Sequence, residues 1–387
     1  MDPIFDLIAR EEKQQKELVY LIPSENFISE NVKRALGSDL SNKYAEGYPG
    51  KRYYQGNKII DEIENLAIER GKELLGVEHL NVQPYSGSPA NTAVLMALLE
   101  PGDKFYGMLL SAGGHLTHGH PKVTFSSKFY NAMQYGVNEA GRIGYEKLAE
   151  EIKKESPKLI FVGATAYPWI LEWEKFSKMA ESVGAYLVAD ISHIAGLIVG
   201  GAHPDPVPWV DVITSTTHKT FRGPRGAVIG VTKRGIKKNI DLPKLIDKAV
   251  FPGLQGGPHL NTIAAMAVAF EEASQPEFKI YAEQIVKNAK SLKKGLEAGA
   301  QGLAPVHIFG TENHLMLVDV GEGRGKEVAE KLEENGIIVN KNTIPNEKGS
   351  PFKPSGLRIG TPAMTTRGWK EKEFEELGKR MAKIILV

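Results

Sequence analysis

The chain has 387 residues, of which 42% are hydrophobic and 25% are charged, with a formal net charge of +1 and no cysteine. A chain of this length suggests a large domain with a smaller one attached, and the composition is typical of a globular protein. The near-zero net charge gives no bulk field that would attract nucleic acid or an anionic membrane. The missing thiols exclude disulfides, thiolate catalysis and Cys-ligated metals.

The N-terminal residues lack the basic start and apolar core of a signal peptide, and no stretch is apolar enough to span a bilayer. We therefore expect a cytoplasmic protein that has neither a membrane nor a nucleic acid as its partner. Residues 1–40 show two amphipathic helical patterns that are too short to bury a core of their own. They predict an N-terminal helical arm that lies on another body, such as a second subunit.

Residues 42–56 are rich in tyrosine, glycine and proline. Glycine and proline argue against a regular element here, and tyrosines offer apolar faces with hydroxyl tips. The segment is therefore predicted to be an irregular loop used in recognition. A packed surface loop is the alternative interpretation.

Residues 41–275 alternate between helical patterns and short apolar runs that end in polar residues, which predicts an α/β domain with a mostly parallel sheet and helices on both faces. The helical patterns cover residues 57–75, 172–183 and 260–273, and another helix should begin with Ser88 as its N-cap and Pro89 at its first position. The apolar runs cover residues 80–84, 104–110, 158–163, 184–190, 210–219 and 227–231. Residues 276–387 predict a smaller C-terminal α+β domain, with helices at 278–299 and 325–335 and strands at 314–320 and 336–340.

Two neighbouring apolar runs end in side chains of opposite charge. One ends at Asp190 and the other at Lys219, which is flanked by hydroxyl side chains and His218. Because ligands of open α/β sheets bind at the carboxyl edge of the strands, the acid and the amine should meet there. Pyridoxal phosphate needs a lysine amine to hold its aldehyde as a Schiff base and a carboxylate to keep its ring nitrogen protonated. A strand-end Asp that caps a turn and a solvated loop Lys are the alternatives.

Two glycine-containing segments are candidates for the phosphate of this cofactor. The backbone donors of Ser86, Gly87 and Ser88 converge where a helix begins, and the start of a helix attracts anions. Gly256 and Gly257 offer bare backbone donors that could reach a phosphate across a dimer interface, although a tight turn would also explain them.

His115 follows paired glycines that let the backbone approach a ligand, so its ring could lie on the cofactor. A metal bound by His115, His118 and His120 is the alternative, but no carboxylate or cysteine stands nearby at ligand spacing, so we expect no metal. Arg358 lies in an apolar run and needs an anion. That anion is either a substrate carboxylate or a structural Asp or Glu.

Several segments resemble, in order and spacing, the signature segments of serine hydroxymethyltransferase, a family of fold-type I pyridoxal-phosphate enzymes. The resemblance covers residues 21–366 and implies reversible transfer of the hydroxymethyl group of L-serine to tetrahydrofolate or a related reduced pterin, giving glycine, in an obligate homodimer with shared active sites. The segments are residues 42–54 (NKYAEGYPGKRYY), 82–91 (VQPYSGSPAN), 113–119 (GGHLTHG), 216–220 (TTHKT), 223–226 (GPRG), 339–345 (VNKNTIP) and 358–363 (RIGTPA).

The resemblance also implies roles for residues that match the family's motifs. Lys219 would carry the Schiff base, Asp190 would pair with the ring nitrogen, and His115 would stack on the ring. The phosphate would be held by the residues that match Ser86, Gly87, Ser88, Gly256 and Gly257, of which the two glycines would come from the neighbouring subunit. Residues assigned near the cofactor are Thr165, His193 and His218.

For the substrate, the resemblance implies that Arg358 clamps the amino-acid carboxylate and that Ser24, Tyr54 and His193 line its pocket. Glu46, with Tyr44 beside it, would handle protons near the serine hydroxyl. The residues that match segments receiving the pterin are Leu110, Gly114, His115, Leu116, Asn342, Ser350, Pro351 and Phe352.

Some positions depart from the pattern of the family, among them Thr165, Tyr85 and Trp169, which stands where a small residue is usual. Two other functions compete with the main interpretation. A related lyase such as a threonine aldolase would share the lysine and the aspartate but would not need the pterin segments. A non-catalytic protein that binds RNA or a protein partner on the same fold is the weaker alternative, since the near-zero charge and the complete set of catalytic residue types argue against it.

Overall fold

The computed structural model of the protein describes residues 2–301, 307–350 and 352–386. Within these residues the helices are α1 (Pro3–Glu17), α2 (Glu30–Leu36), α3 (Lys58–Leu75), α4 (Gly87–Leu98), α5 (Phe125–Phe129), α6 (Tyr145–Glu155), α7 (Trp173–Val183), α8 (Ala195–Val199), α9 (Lys233–Lys238), α10 (Leu242–Lys248), α11 (Leu260–Ser274), α12 (Pro276–Gly299), α13 (Gly325–Glu334), α14 (Pro362–Thr366) and α15 (Glu371–Leu386).

The strands are β1 (Val19–Tyr20), β2 (Gly47–Tyr48), β3 (Lys51–Arg52), β4 (His79–Asn81), β5 (Lys104–Met108), β6 (Asn131–Tyr135), β7 (Leu159–Val162), β8 (Tyr186–Asp190), β9 (Val212–Thr216), β10 (Ala227–Val231), β11 (His307–Phe309), β12 (Leu315–Asp319), β13 (Ile337–Ile338), β14 (Asn340–Asn342) and β15 (Gly356–Gly360). No helix of the described segments combines the length and the apolar composition that crossing a bilayer requires.

A seven-stranded sheet in the order β4-β10-β9-β8-β7-β5-β6 forms the centre of the large domain. All of its neighbours pair in parallel except β10, which is antiparallel to both β4 and β9. The predicted α/β class with a mostly parallel sheet is therefore confirmed.

Successive residues of the central strands enter two different cores, one on each face of the sheet. Ile160 and Val162 of β7 belong to a core that also contains residues of α3, α7, α11 and α12. Leu159 and Phe161 belong to a second core with residues of α4 and α10. Because side chains alternate along a strand, this division means that helices cover both faces, and it explains why these strands read as continuous apolar runs.

The sequence signals that begin and end the helices are clearest in α3 and α7. Asn57 and Glu172 precede these two helices, and Gly76 and Gly184 end them with φ of 65° and 70°, a left-handed conformation that glycine adopts without strain. These bounds agree with the predicted helices to within one residue.

The C-terminal part contains a four-stranded antiparallel sheet in the order β11-β12-β15-β14. Its core includes residues of β12, β15, α13 and α15. Helix α12 contributes to both parts, because Phe278 and Ile285 lie in the core of the large domain whereas Leu292 and Leu296 lie in that of the C-terminal sheet. The division of the chain at residue 276 remains a prediction.

The N-terminal arm behaves differently in its two halves. Helix α1 has no buried residue, and its apolar side chains Ile4, Phe5 and Leu7 are each about half exposed. The following segment packs on its own chain, since β1 pairs with β13 and Val32 of α2 lies against Ala265. The apolar face of α1 is thus the part of the arm that would suit a second body.

Two local predictions were wrong. Helix α4 begins two residues earlier than expected, with Ser86 in an extended conformation as its N-cap and Pro89 at the third helical position. Proline fits there because the first four N–H groups of a helix have no intrahelical partner. Residues 42–56 are also not entirely irregular, since β2 and β3 pair as a small hairpin around Gly50, whose φ is +74°.

Candidate active site

The carboxyl edges of β8 and β9 bring Asp190 and Lys219 together. The two strands are parallel neighbours, with Asp190 opposite Thr214. Lys219 Nζ donates to Thr216 Oγ1 (3.0 Å), the backbone N–H of Thr216 donates to Ser192 Oγ (3.0 Å), and Ser192 Oγ donates to Asp190 Oδ1 (2.6 Å). Thr216 therefore links the amine to the acid, since its hydroxyl bonds Lys219 and its backbone N–H bonds Ser192, which in turn bonds Asp190.

The Asp190 carboxylate is buried and accepts hydrogen bonds on both oxygens. Oδ1 accepts from the backbone N–H and the hydroxyl of Ser192, and Oδ2 accepts from Asn91 Nδ2 (2.8 Å) and His118 Nε2 (3.1 Å). Burial by itself would raise the pKa of Asp190, but the bond from His118, the nearby imidazoles and Ser192 outweigh it and hold the pKa well below its usual value. Asp190 is thus ionised in a water-poor setting.

The tautomers of His115 and His118 follow from their partners. His118 Nδ1 accepts from the backbone N–H of His115, so its proton is on Nε2, which donates to Asp190. His115 Nδ1 accepts from the backbone N–H of Thr117 (3.2 Å). Burial, together with the neighbouring His118, lowers the pKa of His115 to about 4, so its ring is neutral at neutral pH.

These same side chains bear on the expectation that no metal binds. The sequence offered no carboxylate near the histidines, but the fold places ligand atoms of His115, His118 and Asp190 within 4.8 Å of one another. The spacing argument against a metal therefore does not hold in three dimensions. Hydrogen bonds already engage His118 Nε2 and both oxygens of Asp190, and the expected absence of a metal stays a prediction.

Lys219 lies in a setting that favours a neutral, reactive amine. Burial lowers its pKa to about 8, and the positive charges of Arg358 and Arg225 act in the same direction against the attraction of Asp190. A lysine whose pKa is lowered in this way is nucleophilic near neutral pH. Its backbone carbonyl accepts from Asn26 Nδ2 (2.8 Å), which ties the segment after β1 to the site.

The segment before α4 reaches the same edge of the sheet. A Cβ added at Gly87 would lie 2.8 Å from Thr216 Cγ2, so only glycine allows this approach of the helix start to the residue that holds the Lys219 amine. The N-terminus of α4, a twelve-residue helix, therefore faces the rim on which Lys219 and Asp190 stand. His218 is also partly buried there, and burial with the charge of Lys219 lowers its pKa to about 3.

Arg358 lies on β15 and spans both parts of the chain. It donates from Nη1 to the carbonyl of Thr165 (2.8 Å), from Nε to Asn340 Oδ1 (3.1 Å) and from Nη2 to Ser24 Oγ (3.5 Å). Burial lowers its pKa to about 10, with Glu25 opposing the shift. No carboxylate of the described residues lies within 4.0 Å of its guanidinium, so Arg358 does not form the structural ion pair that we considered with any of them.

Thr165 and the paired glycines form one packed unit. The Thr165 hydroxyl donates to the carbonyl of Gly114 (3.0 Å), and the carbonyl of Gly113 accepts from the backbone N–H of Thr165 (2.7 Å). A Cβ at Gly114 would overlap the carbonyl of Met108. Close backbone packing therefore explains these glycines, whatever ligand they approach.

His193 completes this group, which we call the strand-edge group. His193 is buried, and burial followed by the charges of Lys219 and Arg358 brings its pKa well below the usual value. The group consists of the predicted site residues Ser24, Ser86, Gly87, Ser88, His115, Thr165, Asp190, His193, His218, Lys219 and Arg358.

The remaining catalytic candidates and the second phosphate segment lie together in another group, the loop group, which consists of Tyr44, Glu46, Tyr54, Gly256 and Gly257. A Cβ at Gly256 would lie 3.1 Å from Glu46 Oε1, and one at Gly257 would lie 3.1 Å from the ring of Tyr44. The rings of Tyr44 and Tyr54 meet edge to face at 5.3 Å, and the charge of Glu46 raises the pKa of Tyr54. Among the described residues no hydrogen bond or ion pair joins these three side chains to Lys219, Asp190 or Arg358.

A buried ion-pair network holds the loop group in place. Arg52 donates to Glu64 Oε2 (2.5 Å), to Asp61 Oδ1 (2.9 Å) and to the carbonyls of Ala45 and Gly47 on either side of Glu46. Arg52 and Glu64 are 4% and 1% exposed. Bonds on both sides of residue 46 thus fix the backbone that carries its carboxylate.

The segments assigned to the pterin come close to one another at the junction between the two parts of the chain. Thr343, next to Asn342, donates to the carbonyl of Ser111 (3.3 Å), next to Leu110. Lys341 Nζ donates to the carbonyl of Phe352 (3.2 Å), whose side chain is 84% exposed. Leu116 is exposed, and the hydroxyl of Ser350 accepts from the backbone N–H of Lys353 (3.3 Å). Pro351, also assigned to the pterin, lies outside the described residues.

Sequence reasoning missed the residues that hold Asp190. Asn91 donates to both Asp190 and Thr117 and accepts from Thr214 Oγ1 (2.6 Å), and it is 1% exposed. Its one available signal was its place one turn inside α4, because a polar side chain on the buried face of an apolar helix needs partners. Nothing in the local sequence marked Ser192 or Thr216 for their roles.

Comparisons with known proteins show the family of this chain. Residues 1–381 match the model of the family described as serine hydroxymethyltransferase. A serine hydroxymethyltransferase of Desulfotalea psychrophila is 50% identical over 99% of this chain and 88% of its own length. Relatives with the same description from Francisella tularensis subsp. novicida and Acidothermus cellulolyticus are each 52% identical, over 99% and 97% of this chain and 90% and 86% of their own lengths.

Proposed function

This chain belongs to the serine hydroxymethyltransferase family and is a pyridoxal-phosphate-dependent hydroxymethyltransferase that interconverts serine and glycine, and we propose that the strand-edge group holds its cofactor and substrate. The observation that carries this proposal is that Thr216 and Ser192 link the Lys219 amine to the Asp190 carboxylate through hydrogen bonds. An amine that is easily deprotonated and an acid that stays ionised then stand at one edge of the sheet, as this cofactor requires.

The described residues fit the cofactor. Lys219 would bind its aldehyde covalently, and Asp190, kept ionised by its donors, would hold a proton on the ring nitrogen. The neutral ring of His115 would lie on the cofactor ring, and the start of α4 at Ser86 to Ser88 would receive the phosphate. When bound, pyridoxal phosphate supplies an electron sink for the bond that breaks between Cα and Cβ of serine.

Arg358 would bind the substrate carboxylate. A guanidinium has five N–H donors, and the bonds to Asn340, Thr165 and Ser24 use three of them. Two donors remain, which is the number that a bidentate carboxylate contact needs. Ser24 and His193 would stand beside the bound amino acid, so that its orientation is set before any bond breaks.

The loop group would complete the site of a neighbouring subunit. The family resemblance assigns Gly256 and Gly257 to the partner's cofactor phosphate, and in this chain both glycines lie against Glu46 and Tyr44. Because these residues are packed together, Glu46 would enter the same neighbouring site as the glycines do. There it would exchange the proton of the serine hydroxyl, with Tyr54 beside it. This arrangement requires a homodimer.

A folate-type pterin would accept the one-carbon unit at the junction of residues 110–116, 341–343 and 350–352. The exposure of Leu116 and Phe352 supports a ligand with an apolar ring system there. Tetrahydrofolate is the carrier that we propose, with a modified pterin as the alternative. A cytoplasmic location is part of this proposal.

The central test is the covalent bond to Lys219. Borohydride reduction of the cofactor-loaded enzyme, followed by proteolysis and mass spectrometry, should find the pyridoxyl group on the peptide that contains Lys219. Lys219→Ala should take up no cofactor covalently and should lose turnover, whereas Lys237→Ala, a change at an exposed lysine, should behave as the wild type. Label on another lysine, or turnover that survives Lys219→Ala, would refute the assignment.

A second measurement separates this function from that of a threonine aldolase. Cleavage of serine should depend on added tetrahydrofolate in a hydroxymethyltransferase, because the one-carbon unit needs its carrier. Cleavage of serine at the same rate with and without the pterin would instead favour the lyase.

A further inference from the structure

A small cavity lies between the two parts of the chain, with Asp190 in its wall. Its other lining residues include Trp169, His193, His203 and His314, and we call it the three-histidine cavity. It leaves about 10 Å³ for the centre of a water-sized sphere. That is room for one water molecule.

Three polar atoms of the lining residues have no partner among the described residues. They are Trp169 Nε1, His203 Nε2 and His314 Nδ1, and all three are shielded from solvent. His203 is 6% exposed and His314 is fully buried. Because buried polar groups are nearly always hydrogen-bonded, three unpaired ones around the same cavity indicate an occupant that bonds to them.

The protonation of these atoms defines the chemistry of the occupant. His203 Nδ1 donates to the carbonyl of Pro204 (3.0 Å), so in a neutral ring Nε2 is an acceptor. Trp169 Nε1 is a donor only. His314 Nε2 shares a hydrogen bond with His193 Nδ1 (3.2 Å), so His314 Nδ1 accepts if Nε2 donates and donates if Nε2 accepts. Burial lowers the pKa of His203 to about 4 and that of His314 to about 3, so both rings are neutral at neutral pH.

An ion does not meet these requirements. A cation cannot accept the N–H of Trp169, and a monatomic anion cannot donate to His203. A water molecule accepts from Trp169, donates to His203 and uses its remaining hydrogen or lone pair for His314. It fits both tautomers of the His193–His314 pair, and water in protein interiors makes about three hydrogen bonds of this kind.

We propose that the three-histidine cavity binds one ordered water molecule that bridges Trp169, His203 and His314, and that this bridge fixes the ring of His193 at the active site. His203 and His314 are then positioning residues, which act on the reaction through His193 and touch no substrate. The link to catalysis rests on the proposed function, because only there does His193 stand beside the substrate. The water site itself does not depend on it.

Trp169, which lines this cavity, is held in place by a neighbouring ion pair. The guanidinium of Arg142 lies 3.9 Å from the centre of its ring and donates to Glu312 Oε1 (2.9 Å), and Glu312 Oε2 accepts from the backbone N–H of Ile170. Glu312 of the C-terminal part thus holds both the guanidinium that lies on the indole and the residue that follows Trp169. The indole gives this chain a donor at the cavity that a small apolar residue could not supply.

The test compares Trp169→Phe with Trp173→Phe in the cofactor-loaded enzyme. Both changes remove an indole N–H and keep an aromatic ring, but Trp173 does not line the cavity. Its Nε1 donates to the carbonyl of Pro204 (3.1 Å), and Trp173→Phe leaves that carbonyl in place as the acceptor of His203 Nδ1. Trp169→Phe should shift the ring ¹⁵N resonances of His314 and His193 in enzyme labelled at histidine. It should also lower the midpoint of thermal unfolding by a few degrees, since the water loses one of its partners. Trp173→Phe should lower the midpoint but leave those two resonances in place.

A crystal structure of the wild-type holoenzyme supplies the second arm. We expect one water oxygen within hydrogen-bond distance of all three nitrogens. An empty cavity would overturn the proposal, and so would Trp169→Phe that unfolds at the same or a higher temperature, because deleting an unpaired buried donor relieves its desolvation cost. Unshifted resonances of His193 would overturn the positioning role. None of these measurements depends on turnover. They therefore test the water site independently of the assignment of Lys219 as the cofactor-binding lysine.

Discussion

The strand-edge group and the loop group differ in how far one chain completes them. In the strand-edge group the polar atoms of Asp190 and the amine of Lys219 all have partners from their own chain. In the loop group the side chains proposed to take part in the reaction face outward. Tyr44 is 58% exposed and Tyr54 is 46% exposed. The first is built like the interior of a domain and the second like half of an interface, as expected if one subunit binds the cofactor and the other supplies the proton-handling carboxylate.

The largest effect should come from mixing two inactive variants. Lys219→Ala and Glu46→Gln should each abolish serine cleavage as homodimers. In a mixed dimer one site carries both changes and the other carries neither, so unfolding and refolding the two proteins together should restore about a quarter of wild-type activity, given random pairing of a two-fold dimer. If Glu46 served its own subunit, mixing would restore nothing.

Removing Arg52, which holds the backbone of the loop group, should have the next largest effect. Arg52→Met leaves Glu64 buried without its charge partner, and breaking a buried ion pair in this way costs about 3–5 kcal/mol. Urea unfolding of the two proteins measures the difference. Arg324→Met removes an exposed pair with Glu327 and should cost less than about 1 kcal/mol. Equal losses in the two variants would contradict the role of Arg52 as an internal anchor.

The free energy of unfolding should depend on pH because folding lowers the pKa of Lys219 in the strand-edge group. The pKa of Lys219 falls from 10.5 to about 8 on folding, so below pH 8 the folded chain must keep a charged amine that it disfavours, and this penalty disappears as pH rises above 10.5. Lys219→Met should therefore stabilise the cofactor-free protein at pH 7 by on the order of 3 kcal/mol relative to the wild type, and by much less at pH 10.5. The measurement is urea unfolding of both proteins at each pH. A difference that grows with pH would reverse the sign of the argument.

A smaller loss is expected at Asn91. Asn91→Ala removes a donor from Asp190 and leaves Thr214 Oγ1 without its acceptor, which should cost about 2 kcal/mol. Asn261→Ala removes a single bond to the carbonyl of Leu36 and should cost about 1 kcal/mol. The midpoints of thermal unfolding of the two variants show which change costs more stability. If Asn91→Ala proved the milder change, the donors around Asp190 would be redundant.

The two groups also show how much of the site could be predicted from the sequence. Residues adjacent in the chain were predicted together, such as the Asp190 strand end, the segment at Ser86 and the lysine after β9. The apolar run around Arg358 left its anion open between a substrate carboxylate and a structural Asp or Glu. The resemblance supplied Glu46 and assigned it and Arg358 to one reaction. The wrong N-cap at Ser88 arose because serine and glycine satisfy capping rules at adjacent positions, and only the backbone conformation of Ser86 decides between them.

The sequence by itself determined the alternation of strands and helices, the chemical types available at the strand ends and the family. These follow from periodicity and from short motifs, which are local. Only the tertiary structure decided which side chains surround Asp190, since Asn91 and His118 come from positions 99 and 72 residues away, and which histidine meets His193 from 121 residues away. The order of strands in the sheet and the packing of the C-terminal part against it set these contacts, and neither is written in the spacing of residues along the chain.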